Sequence, residues 1–146
     1  MFSYTHRIFF GDCDPAGIMF YPHHFRLMDA TFQAWLASLQ LSQAVLREEL
    51  NIVGTGLLDA SASFRSPVRD GNAMAHLLTM ETWRRKSFEV RYQGFVGDVC
   101  VIESKEVRGL FTHSEKGLVL SLTDPFRNLI AERDNNGCIQ KHRTGN

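Results

Sequence analysis

From Pro22 onward the apolar residues Phe25, Met28, Phe32, Leu36 and Leu39 recur at spacings of three and four, placing them on one face of a long helix. No other stretch of the chain sustains that period as far. Pro22 suits the first helical position, where its missing N–H leaves no bond unmade. The opposite face carries Arg26, Asp29 and Gln33. A single long helix with one apolar face needs a broad surface to cover it, and the rest of the chain is patterned to supply one.

Ahead of the helix, YTHRIFF from Tyr4 to Phe10 is rich in aromatic and β-branched residues and reads as a strand, ended by the Asp14-Pro15-Ala16-Gly17 breaker. After it, Leu41–Leu50 reads as a short second helix capped by Ser42, and Asn51–Gly56 as a loop. The period then becomes two. Leu58, Ala60, Ala62 and Phe64 alternate with Asp59, Ser61, Ser63 and Arg65. Further strands are expected over Ala73–Trp83, Phe88–Val96 and Val99–Thr112, the last without a readable register around Ser104–Glu106. Arg84–Ser87 is a polar hinge, and Leu118–Leu122 a last short strand. Thr123-Asp124-Pro125 starts a C-terminal helix. The expected architecture is α+β, one domain over residues 1–133 with an antiparallel sheet against the long helix, and a polar tail over 134–146.

Composition excludes more than it assigns. Lys plus Arg equals Asp plus Glu at 16 each, so no general attraction to nucleic acid or an anionic membrane is expected. No apolar run approaches the roughly 18–20 residues of a membrane span, and MFSYTHRIFF lacks the pattern of a secretory signal. The three cysteines, Cys13, Cys100 and Cys138, have no metal-ligand spacing and suit a reducing compartment. A cytoplasmic protein is expected.

Asp14, between a strand and a helix start, is the sharpest chemical candidate. A carboxylate there can attack a thioester or ester carbonyl, or act as a base on water. Its oxyanion partner would be a backbone N–H at the helix start, and since Pro22 has none, Tyr21 is the donor expected. The bland alternative is that Asp14 caps its own turn, as aspartate before proline often does. The Asp12-x-Asp14 pair also fits an aspartyl phosphoryl-transfer motif, but Pro15-Ala16-Gly17 follow it and the chain beyond is mostly strand. His6, His23 and His24 lack the spacing of metal ligands, so no metal is expected. Arg84, Arg85 and Lys86 form the one dense basic cluster, suited to the phosphates of a small ligand or simply to a solvated hairpin end.

GDCDPAGIMFYPHHFRLMD, with SASF at Ser61–Phe64 and WRRKSF at Trp83–Phe88, resembles the 4-hydroxybenzoyl-CoA thioesterase family of hotdog-fold proteins. The resemblance implies a strongly curved antiparallel sheet wrapped around the long central helix, in a homodimer that assembles into a homotetramer with active sites at the dimer interface. It implies that Asp14 is the catalytic carboxylate and that the Tyr21 N–H polarises the thioester carbonyl. Arg84, Arg85 and Lys86 would bind CoA phosphates, and Asp29 would lie near the acyl pocket. The substrate expected is an aromatic acyl-CoA, with CoA part of the substrate and no separate cofactor. A short aliphatic acyl-CoA, an acyl-carrier-protein thioester and a silent acyl-CoA-binding module are the alternatives. The family pattern calls for another arginine before the last helix. LVLSL stands there instead, with Lys116 and Arg127 as substitutes.

Overall fold

The computed structural model describes residues 1–143, with side chains through Asn135. Its strands are β1 (Phe2–Arg7), β2 (Gly54–Phe64), β3 (Ala73–Trp83), β4 (Phe88–Val96), β5 (Val99–Ser114) and β6 (Gly117–Leu120). Its helices are α1 (Pro22–Ser38), α2 (Gln43–Leu50) and α3 (Asp124–Arg143). The strands form one antiparallel sheet in the order β1-β3-β4-β5-β2, with β6 paired to β5.

The long helix has the expected face. Leu27, Met28, Phe32, Trp35 and Leu36 of α1 are buried. They pack against Leu78 of β3, Phe88, Val90 and Tyr92 of β4, Leu110 of β5 and Phe126 of α3. The curved sheet wraps this helix as a hotdog fold. A smaller apolar group, Ile8, Met19, Val68, Met74, Val101 and Ile102 around Leu27, closes the end where α1 begins. α2 starts at Ser42, whose hydroxyl accepts the Val45 N–H at 3.3 Å.

Three boundaries differ from the sequence expectation. The first strand stops at Arg7 rather than Phe10, because the Asp12 carboxylate accepts the Phe9 N–H at 2.9 Å and curls the chain into a 3-10 turn over Phe10–Asp12. β2 begins at Gly54, inside the expected loop, with a bulge between Leu57 and Asp59 that breaks its alternation. α3 runs on to Arg143, where a polar tail was expected from Asp134; no proline interrupts it, and 144–146 lie outside the described residues.

The unreadable stretch of β5 has a physical cause. Ile102, Ser104, Glu106, Arg108 and Leu110 are all buried at every second position, so three polar residues occupy core-facing sites. Their bonds explain why the core tolerates them. Glu106 accepts Arg108 Nε at 2.7 Å and Tyr92 Oη at 2.6 Å. Arg108 Nη2 reaches Asp29 of α1 at 2.8 Å, and its Cζ lies 4.1 Å from the centre of the Phe32 ring. The network ties helix to sheet through charge as well as apolar packing.

Candidate active site

The Asp14 turn is built by its own backbone. Gly17 donates its N–H to the Asp14 carbonyl at 2.9 Å, and the Asp14 carboxylate accepts the Ala16 N–H at 2.9 Å. Gly17 has φ +79°, a conformation that side-chain-bearing residues rarely adopt. The turn is then laced to the approach of α1. Asp14 N–H donates to Ile18 O and Phe20 N–H to Asp12 O, both at 2.9 Å, with a bridge between Cys13 and Met19. Asp14 therefore does cap its own turn, through one carboxylate oxygen. Among the described residues its other oxygen, Oδ2, has no hydrogen-bond partner, and the residue is half-buried.

α1 opens with one unspent donor. Tyr21 is the N-cap residue and makes no side-chain cap. Pro22 has no N–H, while His23 and His24 donate to the Phe20 and Tyr21 carbonyls at 2.9 and 3.1 Å. Among the described residues nothing accepts the Tyr21 N–H. A free N–H at the positive end of a helix stabilises negative charge developing on an oxygen in front of it.

Beside this donor is a pocket of about 320 Å³ lined by Ile18, Met19, Tyr21, His24, Phe64 and Val68, among others. Phe64, at the end of β2, is 49% exposed and meets the Tyr21, His24 and Phe25 rings edge-on. The volume is at the low end of the roughly 300–1,000 Å³ usual for small-molecule sites, so a single ring suits it better than a long chain. Asp14 is not part of the pocket wall; it lies in the turn next to it.

The remaining expected site residues lie elsewhere. Asp29 does not line this pocket. Its side chain is 54% exposed, and its Oδ1 accepts Arg108 Nη2 at 2.8 Å and Gln33 Nε2 at 3.3 Å. Arg84, Arg85 and Lys86 occupy the β3–β4 hairpin. Arg84 pairs with Glu89 at 2.6 Å, while all three residues are exposed. The Thr123 hydroxyl holds the Arg84 and Arg85 carbonyls, and Arg127 stands 5.7 Å over the Trp83 ring. Lys116 is in the β5–β6 turn. β3 starts opposite Arg7, close to the Asp14 turn, and ends at the hairpin, so its 11 residues put about 30 Å between the two. Within one chain, the carboxylate and the basic cluster are at opposite ends of the sheet.

Sequence reasoning missed the polar groups behind the pocket. Thr31 Oγ1 bridges His6 Nε2 at 2.8 Å and His76 Nδ1 at 3.0 Å. The His76 ring lies close against Gly94, where an added Cβ would sit 3.2 Å from it and 2.6 Å from Ile102. Burial drives the His76 pKa down to about 3 and the His24 pKa down to about 4, with neighbouring histidines adding to both, and burial lowers His6 as well. A signal was available: His6 and His76 occupy core-facing positions of their strands, but histidine at such positions reads as polar. The unfolded chain binds protons to these imidazoles near 6.5, whereas the folded chain does not until much lower pH. Their stabilising contribution is thus complete above about pH 6.5 and fades below it. The urea midpoint is expected to be lower at pH 5 than at pH 7, before Glu89 (held low by Lys105 and Arg84) and Glu103 (held low by Arg65) begin to titrate. An equal midpoint at the two pH values contradicts this.

Comparisons with known proteins agree on the fold. No family model matches the chain. It is 37% identical over 89 residues to 4-hydroxybenzoyl-CoA thioesterase of Pseudomonas sp. (strain CBS-3), a match covering 59% of this chain and 62% of that relative. It is 26% identical over 98 residues to 1,4-dihydroxy-2-naphthoyl-CoA hydrolase of Trichodesmium erythraeum (strain IMS101), covering 67% and 70% of the two chains. Its fold superimposes with a TM-score of 0.80 on the crystal structure of an aspartate-to-asparagine mutant of 4-hydroxybenzoyl CoA thioesterase complexed with 4-hydroxybenzoyl CoA. That match has 27% identity and covers 88% of this chain and 97% of the other.

Proposed function

We propose that this chain, which shares its sequence and its hotdog fold with the 4-hydroxybenzoyl-CoA thioesterases, hydrolyses an aromatic acyl-CoA thioester to the free acid and CoA. The observation that carries the reading is the unspent Tyr21 N–H at the start of α1, beside a pocket of ring size and next to a locked carboxylate turn. In this reaction the carbonyl carbon gains an oxygen and loses the CoA sulfur. Asp14 drives it, either by attacking the carbonyl to give an anhydride that water opens, or by taking the proton of the attacking water. The Tyr21 N–H holds the oxyanion formed on the way. Water is the only co-reactant the scheme needs. Following thiol release from benzoyl-CoA, 4-hydroxybenzoyl-CoA and short aliphatic acyl-CoAs tests the reading; faster turnover of the aliphatic substrates rejects it.

The CoA end of the ligand calls for a second copy of the chain. β2 is an edge strand, with exposed Leu57, Leu58 and Phe64, and among the described residues its outer side is unpaired. In an antiparallel pairing of two β2 edges, the Phe64 end of one chain faces the Leu57 end of the other. Leu57 pairs with Arg108 and Arg108 with Phe88, which follows the basic hairpin directly. A homodimer of this kind brings the partner subunit's hairpin to the pocket end of the first chain, which the distance within one chain forbids; two such dimers would form the homotetramer. Replacing Arg85 and Lys86 by alanine is then expected to raise KM for CoA thioesters about tenfold more than for pantetheine thioesters, because a contact made equally in ground and transition states is lost. Equal effects on both substrates would remove the phosphate role.

A further inference from the structure

The pocket beside Tyr21 has a largely apolar wall and one orphaned polar group within it. His24 enters from the first turn of α1 and is 4% exposed, and its Nδ1 is buried without a hydrogen-bond partner. A buried polar atom in that state typically costs about 1–3 kcal/mol, and folded proteins rarely leave one so. The ring meets Phe64 edge-on at 5.3 Å between centroids, which holds it against the wall. A half-turn about its terminal torsion exchanges nitrogen and carbon positions within almost the same outline, so a ring nitrogen can be turned toward an incoming polar atom. Burial keeps the imidazole neutral at pH 7, with one nitrogen to donate and one to accept. Elsewhere on the wall Ile18, Met19, Pro67 and Val68 bring no polar side-chain group, and Arg65 is engaged by Glu103 at 2.6 Å.

We infer that His24 is a specificity-determining residue: it hydrogen-bonds a hydroxyl on the ring of the bound acyl group and so selects hydroxylated aromatic acyl-CoAs over unsubstituted ones. The inference rests on the thioesterase reading above and deepens it. The apolar wall takes the ring, and His24 reads its substituent. A site that hydrogen-bonds a substrate hydroxyl discriminates against the analogue lacking it, because its own polar group is then left unpaired.

The test is a panel of 2-, 3- and 4-hydroxybenzoyl-CoA against benzoyl-CoA, measured by thiol release with wild type, His24→Phe and His24→Gln. Wild type is expected to prefer one hydroxylated isomer over benzoyl-CoA. His24→Phe, which keeps an aromatic ring against Phe64, is expected to lower that preference in kcat/KM by about tenfold, mainly through KM. His24→Gln, which still carries a donor and an acceptor, should retain part of it and covers the case in which the phenylalanine variant folds poorly. An equal loss on hydroxylated and unsubstituted substrates, as a purely structural role would give, overturns the inference. So does a wild-type enzyme indifferent to every hydroxyl position. If wild type releases no thiol from any aromatic acyl-CoA, the thioesterase reading itself fails, and this is seen before any variant is made.

Discussion

Asp14→Asn is expected to lower kcat for an aromatic acyl-CoA by about a hundredfold or more, the usual scale for a positioned acid–base group. The variant is a clean probe because of how the turn is built. One carboxylate oxygen of Asp14 accepts the Ala16 N–H at 2.9 Å, and the amide oxygen of asparagine can accept the same bond. The Asp14–Gly17 turn, the Cys13–Met19 bridge and the start of α1 should all persist. What disappears is the charge and basicity of the second oxygen. Thermal unfolding and the Kd for CoA are therefore expected to stay close to wild type while turnover collapses. Turnover near the wild-type rate would mean that Asp14 is a turn cap and nothing more. Loss of stability in parallel with activity would point the same way.

The largest expected effect on stability comes from Arg108→Met. Arg108 and Glu106 side chains are 4% and 3% exposed and paired at 2.7 Å, and Arg108 also reaches the Asp29 carboxylate. Burial disfavours the charged guanidinium, but Glu106 foremost, with Tyr92 and Asp29, more than offsets this and raises its pKa. Removing only the arginine leaves Glu106 buried with Tyr92 as its remaining partner, and such broken pairs typically cost about 3–5 kcal/mol. Replacing both, as Arg108→Met with Glu106→Leu, removes the stranded charge, and most of the lost stability is expected to return. Urea unfolding of the two variants and wild type decides it. A single variant within about 1 kcal/mol of wild type, or a double variant no better than the single, would show that the network does not hold helix and sheet together as described.

The long helix was legible because burial of one face imposes a period on the sequence: Met28, Phe32 and Leu36 are wholly buried, as their spacing requires. β3 and β4 were legible to the residue for the corresponding reason in strands. β5 resisted because Ser104, Glu106 and Arg108 face inward, and charge at a core position erases the alternation by which a strand is read. Asp29 illustrates the same limit from the helix side. Its spacing placed it on the polar face, and nothing local shows that a guanidinium 79 positions away holds it.

For the candidate site, the sequence by itself determined the Asp14 turn, the helix start at Pro22 and hence the Tyr21 donor, since proline and glycine restrict the backbone wherever they occur. Tertiary structure alone decided three further things. It brought Phe64 of β2 against the first turn of α1 to enclose the pocket, and it buried His24 there without a partner. It also set the Arg84–Lys86 hairpin at the far end of β3 from Asp14. Each depends on contacts between residues distant in the chain, made by the curvature and strand order of the sheet. No short-range pattern of residue types encodes those.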